Sequence, residues 1–131
     1  MATFRLDATG QNKMRALDDA TLQLQRIHGL VEQYAMALKR NQPTTTYAMN
    51  LRRQLPALAE NLKGYFGLIA DQVTSVNLAA SRGTSEQVRV RALREGVAQI
   101  RQAIEIAGAQ TKDKHAIDEN AASDNVGSDA T

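Results

Sequence analysis

The chain of 131 residues has no Cys and no Trp, and it holds only 3 Tyr and 2 Phe. Without Cys there can be no disulfide framework, thiolate zinc site or cysteine nucleophile. Aromatics at 4% are too few for a β-sandwich or barrel, whose strands favour aromatic and β-branched side chains. They are also too few for a platform that stacks unpaired bases. With 2 Pro and 8 Gly in all, little in the chain breaks a long helix. No apolar run approaches the roughly 20 residues needed to span a bilayer. The opening residues, Met1 to Asp7, lack the basic and long apolar regions of a secretory leader. The expectation is a cytoplasmic protein with no membrane segment.

The net charge of +2 conceals an asymmetry. Residues 1–110 carry 14 Lys/Arg and 9 Asp/Glu, whereas residues 111–131 carry Lys112 and Lys114 against five acids. A basic body thus precedes an acidic tail. Ile117 and Val126 are the only sizeable apolar residues of that tail. Such a segment cannot bury enough surface to offset its ordering entropy, so disorder is expected over 111–131.

Three segments carry apolar residues at alternating spacings of three and four, the heptad seam of packed helices. The first holds Leu17, Ala20, Leu24, Ile27, Val31, Tyr34 and Leu38, from an N-cap at Asn12 to a stop at Asn41-Gln42-Pro43. The second, about 45–80, holds Leu51, Leu55, Leu58, Leu62, Tyr65, Ile69, Val76 and Ala79, with Gln72 in one slot and Phe66 and Val73 widening the stripe. Pro56 interrupts it, and because the stripe keeps phase across Pro56 a single kinked helix is expected. The third holds Val90, Leu93, Val97, Ile100, Ile104 and Ala107, with Thr84 and Gln87 as a capping box, Ser85 as another cap, and a stop near Gly108. These segments predict an all-α fold: an antiparallel three-helix bundle over 12–110, with heptad seams. The arm at 1–11 alternates Phe4 and Leu6 and either caps one end or pairs elsewhere.

Two sets of residues point outward. Leu22, Met36, Leu78 and Ile106 lie off the seams and form a candidate partner interface. Arg82, Arg89, Arg94 and Arg101 flank the third seam as a candidate patch for phosphate or an acidic partner. Arg89 and Arg94 have no acid one turn away in the favourable direction, which leaves them available. Gly64 and Gly67 mark either a close helix approach or a flexible stretch.

Catalytic patterns are missing. His28 and His115 are the only histidines, and none of Glu32, Glu60, Glu86, Glu95 or Glu105 has a His three residues away. That removes the usual carboxylate–histidine set of a dinuclear metal bundle. There is no Gly-rich phosphate loop, and the Ser and Thr residues sit in turns, where capping accounts for them. The expectation is a non-enzymatic chain without cofactor or bound metal. The leading reading is an adaptor or scaffold that self-associates or docks a partner helix. Two other readings are a small basic subunit of a nucleoprotein complex, and an assembly or secretion chaperone.

Overall fold

The computed structural model describes residues 4–118. Four helices follow one another: α1 (Ala8–Lys39), α2 (Thr45–Lys63), α3 (Gly67–Arg82) and α4 (Glu86–His115). Two three-residue strands, β1 (Phe4–Leu6) and β2 (Ala116–Asp118), pair antiparallel with Leu6 opposite Ala116. The N-terminal arm therefore pairs with the chain beyond α4.

The helical bundle has four helices rather than the expected three. α2 runs through Pro56 to Lys63, and the break falls at Gly64–Phe66 instead. Two glycines within four residues weaken the helix there by about 1 kcal/mol each. Phe66 (φ −133°, ψ 60°) then turns its ring against the core. Its N–H donates to the Leu62 carbonyl at 2.7 Å, and its carbonyl accepts from the Ala70 N–H at 2.9 Å. One residue thus closes α2 and opens α3. The break also shifts the phase of the stripe. Ile69, Val73 and Val76 are buried in α3, while Ala79 and Tyr65, both expected in the seam, face outward.

Lengths decide the architecture. At about 1.5 Å per residue, α1 and α4 are about 48 and 45 Å long, against about 28 and 24 Å for α2 and α3. The α2–α3 hairpin therefore flanks only part of the long pair. Near its tip Asn61 Nδ2 donates to Gln23 Oε1 at 2.6 Å, which places the top of α2 beside the middle of α1. Beyond that level α1 and α4 continue as a two-helix stalk, closed by the β1–β2 ribbon. The core lies in the four-helix half, where Ile27, Leu55, Leu58, Val73 and Ile100 are among the fully buried side chains. The α1 seam from Leu17 to Tyr34 and all six expected α4 seam residues are buried.

Two helix ends differ from expectation, the start of α1 and the end of α4. α1 begins at Ala8, where Asp7 Oδ1 accepts from the Gly10 N–H at 2.7 Å, rather than at Asn12. It ends as expected before Pro43, with Asn41 at φ 54°, a conformation Asn tolerates. Ser85, not the Thr84–Gln87 box, caps α4 by accepting from the Val88 N–H at 3.2 Å. α4 passes Gly108 and ends at His115, so residues 111–118 are helix and strand rather than disordered tail. Thr111, itself buried, donates to the Ala107 carbonyl at 2.7 Å. The extension depends on a partner remote in sequence. The Asp7 N–H donates to the His115 carbonyl, and a Cβ at Gly10 would stand 2.5 Å from that of His115. The remaining tail, residues 119–131, lies outside the described residues.

Candidate functional site

The four apolar candidates do not form one surface. Leu22 lies in a groove with Gln54 and Asn61 of α2, whereas Met36 lies in a groove with Arg91 and Arg94 of α4. A straight helix drifts about 20° per heptad, and over two heptads that drift carries the off-seam row from the α2 side of α1 to its α4 side. Leu78 is half exposed on α3. Only Ile106 joins a larger apolar surface.

The arginine candidates are divided as well. Arg94 donates from Nε and Nη2 to Glu32 Oε2 and Oε1 at 3.0 and 2.7 Å. The acid that engages it lies on α1, 62 residues away in sequence, so the expected availability of Arg94 is overturned. This paired bond holds the Glu32 carboxyl below its usual range and raises the Arg94 guanidinium. Arg101 Nη2 lies 3.5 Å from His28 Nδ1 on the same flank. Arg89 is half-buried on the other flank, where its Nε donates to the Gly83 carbonyl at 3.2 Å. Arg82 is exposed. Arg89 belongs to a polar knot that ties α1, the α1–α2 link and the start of α4. There Glu86 Oε1 accepts from Tyr34 Oη at 3.2 Å and from Thr44 Oγ1 at 2.6 Å. Burial, with the Glu86 charge, pushes the Tyr34 phenol up, partly offset by Arg89.

The largest unexplained apolar exposure lies where the hairpin stops and the stalk goes on. Leu68, in the first turn of α3, is 87% exposed. Tyr65 (49%) and Ile106 (51%) lie beside it, and Tyr65, Leu68 and Ile106 line one groove of about 370 Å³ with Phe66 and Ala103. Among the described residues no charged side chain lines this groove. The Tyr65 and Phe66 rings are 6.5 Å apart and tilted by 58°. Position in the fold creates the shoulder: α4 runs on past the hairpin tip, so Ile106 finds no α3 residue above Leu68. Gly64 and Gly67 leave open space around them, so no close helix approach within the chain requires them. The sequence signal for the shoulder was the pair of glycines around Tyr65-Phe66. It was masked because the heptad stripe runs through them.

A second cluster closes the far end of the stalk. His115 Nδ1 lies 3.2 Å from Asp7 Oδ2, and Lys13 Nζ lies 3.2 Å from His115 Nε2. A ring with its proton on Nδ1 satisfies both contacts, donating to Asp7 and accepting from Lys13. The Gly10 N–H and His115 hold the Asp7 carboxyl below its usual range. The cluster fastens the N-terminus of α1 to the C-terminus of α4.

Among the described residues no helix is long and apolar enough to cross a membrane. No family model matches the chain, and no curated protein or solved structure matches it.

Proposed function

We propose that this chain is a non-enzymatic helical scaffold that self-associates through the shoulder formed by Tyr65, Leu68 and Ile106. The carrying observation is Leu68, 87% exposed beside two half-exposed apolar side chains. Isolated surface apolar residues are ordinary, but a rimmed apolar group around a groove marks an interaction site. A second copy suits this groove because its lining is uncharged. Two such faces meet about a two-fold axis without like-charge cost, each contributing the same residues.

Light scattering on a sizing column tests the reading. The expected result is a dimer that Leu68→Glu with Ile106→Glu converts to a monomer of unchanged helical content. A wild-type monomer at about 100 μM, a concentration at which an interface of even micromolar affinity is mostly filled, would defeat self-association. A dimer that survives the double substitution would put the interface elsewhere.

A further inference from the structure

The bundle is electrically polarised along its length, a property distinct from the shoulder. No acid occurs between Glu32 and Glu60, or between Asp71 and Glu86. The fold brings these two stretches to the same end, because the α1–α2 and α3–α4 links both lie there. Lys39, Arg40, Arg82 and Arg91 are exposed at or near this end, and Arg52 and Arg53 are exposed on the half of α2 that leads from it, Arg52 in a groove with Ser81 and Arg89. Among the described residues none of the six takes part in an ion pair. Three acids share the region. Glu32 is held by Arg94, and Glu86 accepts from Tyr34 and Thr44, which leaves Glu95. At the stalk and hairpin tip the acids Asp7, Asp18, Asp19, Glu60, Asp71, Glu105 and Asp113 are matched by as many cations, Lys13, Arg15, Arg26, Lys63, Arg101, Lys112 and Lys114.

We infer that the end bearing Arg40, Arg52, Arg53 and Arg82 binds the phosphate backbone of a duplex nucleic acid without reading its sequence. Five of the six exposed cations are Arg, whose planar fork matches phosphate oxygens in pairs. The links at this end, residues 40–44 and 83–85, contain no large apolar side chain that could insert into a bilayer. No exposed aromatic lies here to stack unpaired bases: Tyr34 is buried, Tyr47 half-buried, and Tyr65 and Phe66 lie at the hairpin tip. A duplex backbone, which offers paired phosphate oxygens without splayed bases, is the ligand these features favour. Arg82 alone carries over from the patch read in the sequence. The other three of that set are engaged within the bundle or face His28.

Fluorescence anisotropy with a labelled DNA duplex of arbitrary sequence, and an RNA duplex of the same sequence, tests this. With about five phosphate contacts, affinity should fall roughly 500-fold between about 50 and 200 mM salt. Arg52→Gln with Arg53→Gln and Arg82→Gln should lower the salt slope by about 2.7, which is about 0.9 for each arginine replaced. Lys112→Gln with Lys114→Gln, on the stalk, should leave the slope unchanged. Circular dichroism and the melting temperature confirm that each variant folds. Any of four results would overturn the inference: no duplex binding at the lower salt, an unchanged slope in the triple variant, equal binding to polyglutamate, or preferential binding to phosphatidylglycerol vesicles.

Discussion

The four-helix half and the stalk share the same two long helices but are stabilised differently. In the four-helix half α1 packs on α2, and α4 on α3, as well as on each other. Large side chains such as Ile27, Ile100 and Leu58 are fully buried there. The stalk has no such cover. At the α1–α4 contact it uses small residues, with Gly10, Ala20 and Ala107 buried and Gly108 beside Leu17. It closes with polar groups: the Asp7 cap, the His115 bridge, Thr111 and the ribbon. A two-helix segment cannot shield broad apolar stripes, so close approach and hydrogen bonding replace them. Exposed apolar surface gathers where one regime gives way to the other, at Tyr65, Leu68 and Ile106.

The contrast can be broken most severely in the four-helix half. Leu58→Ala, at a fully buried site, should cost about 2–5 kcal/mol in urea unfolding. Leu17→Ala, in the stalk, should fall near the low end of that range, about 2 kcal/mol, because the two helices can close over the gap. Equal losses would show that the stalk is as rigid as the bundle. Next comes the α3–α4 contact, where a Cβ at Gly96 would stand 2.5 Å from both Val76 γ-carbons. Gly96→Ala should destabilise by about 1–3 kcal/mol, and Val76→Ala should recover part of that in the double variant. Additive losses in that pair would mean the two positions do not press on each other. Ser85→Ala removes the α4 cap and should cost about 1 kcal/mol by thermal melting.

The smallest effect belongs to the stalk and depends on pH. The Asp7 carboxyl is held below its usual range, so its contribution is present above the pKa of the unfolded chain. It is lost as the pH falls through the lowered folded value, below about 4. The Gly10 amide resonance should shift in that window before the signals of Ile27 and Val97 change. Simultaneous change throughout the chain would show that the stalk and the bundle unfold as one unit.

Periodicity read the outer helices well. The α1 seam from Leu17 to Tyr34 and the α4 seam from Val90 to Ala107 are buried as the spacing implies, because burial against any neighbour imposes the same repeat. The middle segment misled because Leu62, Tyr65 and Ile69 preserve a three-four rhythm across a turn. Spacing shows which residues could share one face of a continuous helix, not that the helix is continuous, and the turn at Gly64–Phe66 leaves Tyr65 exposed. Pro56 looked like the weak point, yet Leu55 and Leu58 are anchored in the core on either side of it. The candidate surfaces were the least legible. An outward residue can be identified from one helix, but its neighbours come from others, as the Glu32–Arg94 bond shows.

A helical chain, the buried faces of its long helices, the end of α1 before Pro43 and the lack of acids around two links are all legible in the order of the residues. Those features follow from local propensity, from side-chain spacing and from composition. Tertiary structure alone decided that there are four helices, that α4 extends to His115 and that Arg94 is paired. It also gathered Leu68 with Ile106 and brought the two acid-free links to one end. Each of these depends on residues far apart in the chain meeting at a few ångströms, where packing and charge override what a single segment prefers.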